Sequence, residues 1–93
     1  MKSAYPILLT PDEPGYCVYI PDFDANTQGE SLADSIEMAR AAIGLMGTVL
    51  EDDGKPIPKP RPLSGVTAKD DEIVTLVDVD FTEYRKITTF TKS

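Results

Sequence analysis

The sequence predicts an α+β domain: a small, mainly antiparallel sheet in β-β-β-α-β order, with one long helix packed on one face. Three observations carry that prediction. Two short alternating runs, residues 4–10 and 16–20, flank a turn cluster. Residues 31–53 repeat apolar side chains at spacings of three and four. Residues 73–81 form the most strongly β-branched stretch. The length, 93 residues, allows one domain with a core just large enough to fold without staples.

In the first strand, Tyr5, Ile7 and Leu9 alternate with Ala4, Pro6 and Leu8. Pro6 has no N–H, so it should face solvent or mark a sheet edge. Residues 11–15, Pro-Asp-Glu-Pro-Gly, read as a slightly long hairpin loop. Tyr16, Val18 and Ile20 then alternate with Cys17 and Tyr19 as the second strand, and Pro21 stops it. Residues 22–26 read as polar loop, and Thr27-Gln28 as a brief third strand before Gly29.

The helix over residues 31–53 has its signals in place. Ser31 is a natural N-cap, and Asp34 puts a carboxylate near the positive helix end. Leu32, Ile36, Ala39, Ile43, Met46 and Leu50 make one buried stripe, and Gly54 is the expected residue past the end. A second stripe, Met38, Ala42, Leu45 and Val49, lies beside the first and exceeds what one sheet covers. Gly44 and Gly47 interrupt this half and permit close approach of another backbone. Two covers fit: the proline segment of this chain, or a second subunit. The small size favours a homo-oligomer, with Phe90 recruited to the same contact.

Residues 55–63 alternate proline with Lys55, Ile57, Lys59 and Arg61, which enforces an extended strap pinned by Ile57 and Leu63. In the strand over 73–81 the first half is apolar on both sides, so it should be central in the sheet. Residues 82–93 are a tail too short for a second domain, so the whole chain, 1–93, is one domain.

Composition narrows the chemistry. There is no His and only one Cys, which excludes imidazole metal sites, histidine bases and an internal disulfide framework. Net charge is −7 and is unevenly spread. Residues 3–54 hold ten acids and one base, whereas residues 55–69 hold Lys55, Lys59, Arg61 and Lys69 and no acid. An acidic body attracts basic partners. No span is long enough to cross a bilayer and no leader-like segment opens the chain, so the expected location is the cytoplasm.

Carboxylates are the only abundant catalytic material. Asp78 and Asp80 share one face of the last strand, but two such groups without a third ligand do not make a metal site. Asp22-Phe23-Asp24-Ala25-Asn26 opens like a calcium loop, then fails at Thr27 and Ala33, where Gly and Glu are required. Cys17 sits mid-strand with no base to make it a thiolate. The residues therefore predict a protein that is not an enzyme and takes no cofactor and no metal.

The order of motifs resembles the HicB-like antitoxin family. The resemblance runs from Tyr5-Pro6-Ile7, through Pro11-Asp12-Glu13-Pro14-Gly15-Tyr16 and Ile20-Pro21-Asp22-Phe23, to Thr27-Gln28-Gly29-Glu30-Ser31-Leu32. It continues in the helix, the Gly54-Lys55-Pro56-Ile57-Pro58-Lys59-Pro60 strap, and residues 74–80 followed by Tyr84-Arg85, and so covers nearly the whole chain. It implies a partial ribonuclease-H-like fold. It also implies a non-catalytic role: masking HicA, a small basic mRNA-cleaving toxin. The acids expected to meet that partner are Asp22, Asp24, Glu30, Asp78 and Asp80. The rival expectation is RNA binding through Lys55, Lys59, Arg61 and Lys69. Three departures stand out. Asp24-Ala25-Asn26 replaces the Pro-Gly-Cys that many members carry. The chain ends at Ser93 without a DNA-binding module, which argues against DNA binding. The first strand lacks the carboxylate of a ribonuclease H site, so the fold name implies no activity.

Overall fold

The structure is a computed structural model that describes residues 2–85. Four strands, β1 (Lys2–Asp12), β2 (Gly15–Ile20), β3 (Ala25–Gly29) and β4 (Ile73–Asp80), form one antiparallel sheet in the order β3-β2-β1-β4. Helix α1 (Leu32–Asp52) packs on one face. The predicted order of elements and the α+β class are those observed.

Alternation along the strands decides which side chains reach the helix. Tyr5, Ile7 and Leu9 of β1, Val18 and Ile20 of β2, and Val77 and Val79 of β4 are buried with Ala39 and Ile43 of α1. Phe81, just past β4, completes the core. Tyr5 sits at its centre, edge-on to Phe23 at 5.2 Å and to Phe81 at 6.2 Å between ring centroids.

The hairpin is tighter than the sequence suggests. Pairing runs out to Asp12 opposite Gly15, so only Glu13 and Pro14 connect the strands, through a cis Glu13–Pro14 bond. Strand β3 is also longer than Thr27-Gln28. A 3₁₀ turn at Pro21–Phe23 and a left-handed Asp24 (φ 48°) reverse the chain so sharply that Ala25 pairs directly with Ile20.

Two expectations about sheet position are corrected. Strand β4 lies at an edge, not in the centre, because β1 takes the position between β2 and β4. The second apolar row of β4 faces the side of the sheet away from α1, where Val74 is half-buried and Leu76 is 47% exposed. Pro6 is buried rather than solvent-facing, directly opposite Leu76. Its missing N–H is tolerated because β2 joins β1 only from Leu8 onward, leaving one flank of β1 without a strand at Pro6.

Helix α1 begins and ends where expected. The Ser31 Oγ accepts from the Asp34 N–H at 3.0 Å, and the Asp34 carboxylate accepts from the Glu30 N–H at 2.9 Å. At the other end Gly54 adopts φ 71°; its N–H bonds the Glu51 carbonyl, and the Lys55 N–H bonds the Leu50 carbonyl. Within the predicted buried stripe, Ala39 and Ile43 are fully buried and Ile36, Met46 and Leu50 half-buried. Leu32 is exposed, being on the first turn beyond the sheet's reach.

Gly44 and Gly47 face inward and are filled by this chain's own aromatics. A Cβ on Gly47 would lie 2.3 Å from the Phe81 ring, and one on Gly44 would lie 2.6 Å from Tyr84. The close approach is therefore by rings of the helical residues 81–85, not by another backbone.

The strap is tied to the body at two points. The Tyr5 hydroxyl donates to the Pro58 carbonyl at 2.8 Å, and Arg61 grips Asp22. Ile57 packs on the core, but Leu63 is 41% exposed on a short 3₁₀ turn, Leu63–Gly65, outside the core cluster.

Candidate functional site

The acids expected to meet a partner are not gathered into one site. The Asp22 side chain is 6% exposed and accepts from both the Arg61 guanidinium (2.8 Å) and the Arg61 N–H (3.2 Å). Asp24 takes the Tyr19 hydroxyl at 2.9 Å, a bond that raises the tyrosine's pKa. Both residues of the calcium-like sequence are thus committed within the fold. At the opposite side of the sheet, Asp78 accepts from Arg40 at 2.9 Å and lies 3.9 Å from the Lys2 amine. The Arg40 bond holds its carboxyl below the usual carboxylate range. Asp80 caps the turn that follows β4, accepting from the Thr82 and Glu83 N–H groups; the Glu83 bond leads in lowering its pKa. Glu30 remains exposed at the start of α1.

Arg40 does more than pair with Asp78. Its Nε donates to the Asp78 carbonyl at 2.8 Å, capping part of the outer edge of β4, while the other arm of the guanidinium pairs with Glu37.

The basic strap does not act as one patch. Arg61 is neutralised by Asp22, whereas Lys55, Lys59 and Lys69 are exposed, and the Lys69 N–H donates to Glu72 at 2.8 Å. Cys17 is exposed on the open sheet face; its thiol donates to Asp12 at 3.1 Å, and that bond pushes its pKa up, the reverse of what a nucleophile needs.

A different acidic feature emerges from the register. Because Tyr16 pairs with Gly29, the tip of the β1–β2 hairpin lies beside the start of α1. Gly29 touches Ser35 so closely that a Cβ there would lie 2.4 Å from the serine hydroxyl. The cleft between them, about 300 Å³, is lined by Asp12, Glu13, Glu30 and Asp34, with Tyr16 and Met38 as apolar walls. No lysine or arginine lines it. Sequence reading assigned Asp12 and Glu13 to a turn and Asp34 to a cap; only the β2–β3 register joins them.

The second helix stripe is uncovered among the described residues. Met38, Leu45 and Val49 are 42%, 53% and 49% exposed, and Ala42 is half-buried. The proline strap does not lie over them, which removes one of the two covers considered. Leu45 and Val49, with Phe23, Met46 and Leu50, line an apolar groove of about 360 Å³. Phe90, expected to join this contact, lies outside the described residues. No helix is long and apolar enough to cross a membrane among the described residues.

This architecture recurs in solved structures. A chain of a toxin-antitoxin complex from Streptococcus pneumoniae superposes with a TM-score of 0.80 at 23% identity, over 90% of this chain and 73% of that one. A chain of the HicA3 and HicB3 toxin-antitoxin complex superposes with a TM-score of 0.68 at 27% identity, over 83% of this chain and 98% of that one. In sequence, the antitoxin HicB of Escherichia coli K12 and that of Escherichia coli O157:H7 are each 40% identical over 62 residues, 64% of this chain. The chain spans about half the length of these curated relatives, 45% in each case. The profile described as "HicB_like antitoxin of bacterial toxin-antitoxin system" matches residues 5–90, from the central tyrosine of the core through β4 and beyond. With the strand order, the capped helix and the proline strap all falling inside that match, the chain belongs to the HicB-like antitoxin family.

Proposed function

We propose that this domain is the toxin-masking part of a bacterial antitoxin, acting in the cytoplasm as a non-catalytic binding module for a small basic toxin of the HicA type. Its family membership over residues 5–90 is the observation that carries the reading. The charge supports it: the chain is −7 overall, and the acids of residues 3–54 outnumber the bases there by nine. Opposite charge raises the rate of encounter with a basic protein and disfavours acidic competitors. The RNA-binding alternative loses its support, since Arg61 is spent on Asp22 and the strap is bound to the body.

The direct test is co-expression of this chain with a HicA-type toxin from the same genome. Restored growth and a stable complex on size exclusion are expected. Continued growth arrest with the chain present and folded would overturn the proposal.

A further inference from the structure

Two neighbouring features of the α1 surface are left open by the fold: the acidic cleft at the helix start and the apolar groove at its far half. Met38 lines the cleft and also opens the exposed stripe that runs through Leu45 to Val49, so the two features form one surface. Resting on the function proposed above, we propose that this surface docks an amphipathic segment of the toxin. That segment would place apolar side chains in the Phe23–Leu45–Val49 groove and a lysine or arginine in the Asp12–Glu13–Glu30–Asp34 cleft.

Charge selects this occupant over a second copy of the chain. Pairing two α1 helices antiparallel, so that Met38 meets Val49, sets Asp34 against Asp53 of the other copy. Parallel pairing sets each acid against itself. Either way like charges face each other beside the apolar contact, at an energetic cost. A basic segment meets opposite charge at the same points. The groove supplies the anchor, because exposed apolar side chains gain most when a partner removes them from water. The carboxylates then fix the direction in which the segment lies.

The test measures binding of the purified HicA-type toxin by calorimetry at two salt concentrations, with the oligomeric state of the free chain followed by light scattering. Leu45→Glu and Glu30→Lys are the variants, and Leu76→Glu on the open sheet face is the control. All three sites are exposed, so circular dichroism melts should match wild type. The proposal expects tenfold or greater weakening by each α1 variant, a shallower salt dependence for Glu30→Lys, and less than twofold change for Leu76→Glu. If wild type binds and the α1 variants bind equally well, the docking surface is wrong while the antitoxin function stands. If folded wild type does not bind, both readings fall. A wild-type dimer that Leu45→Glu converts to monomer would assign the surface to a second copy and overturn the proposal.

Discussion

Arg61 and Asp22, 39 residues apart in sequence, form a two-point contact: the guanidinium and the backbone N–H of Arg61 both donate to one buried carboxylate. With the Tyr5–Pro58 bond it fastens the proline strap to the first half of the domain. Truncating Arg61 to alanine leaves the Asp22 charge with only the backbone donor. The expected cost is about 1–3 kcal/mol. Urea unfolding measures it.

The glycine notch in α1 should not tolerate even a methyl group. Gly47→Ala gains about 1 kcal/mol of helix propensity. It also drives a Cβ to 2.3 Å from the Phe81 ring. Overpacking of this kind costs about 1–3 kcal/mol and should win. The midpoint of urea unfolding should fall at unchanged slope.

Alternation along β4 makes neighbouring residues respond differently. Leu76→Lys adds a charge to an exposed site and should change stability by less than about 0.5 kcal/mol. Val77→Ala, one residue on, empties a buried site and should cost about 2 kcal/mol. Comparable losses for both would contradict the placement of Val77 toward α1 and Leu76 on the opposite face.

Acid unfolding should report on Asp78. Arg40 holds its carboxyl below the usual range in the folded chain. The ionised form therefore favours folding. That contribution is complete above the unfolded value of about 3.9 and is lost as pH falls through the lower folded value. Between about pH 5 and about pH 2, the urea midpoint of wild type should drop more steeply than that of Asp78→Asn.

Local signals were legible and long-range ones were not. The Ser31 cap, the Gly54 terminus and the alternation of Tyr5, Ile7 and Leu9 each depend on a few adjacent residues, and each appears in the structure as read. Strand β4 misled because Val74 and Leu76 look like core, yet they lie on the face of the sheet away from α1, where Val74 is half-buried and Leu76 is 47% exposed. Strand β3 was underestimated because Asn26 and Gly29 are poor strand formers; the reversal at Asp24, not propensity, sets its pairing. Among the site residues, Asp22 and Asp78 found partners 39 and 38 residues away, respectively, which no spacing rule anticipates. The cleft acids span positions 12 to 34 and meet only once the hairpin and helix are placed.

The pairing of Lys2 with Asp80 bears on how the chain is made. A growing polypeptide emerges from its N-terminus, so the hairpin and helix leave the ribosome before β4 exists. Until Val77 and Val79 arrive, Tyr5, Ile7 and Leu9 lack the neighbours that cover them. Sheets closed by distant strands form late and cooperatively. A chain stopped before residue 73 would therefore hold its helix signals without a finished core, a target for proteases and not a smaller version of the domain.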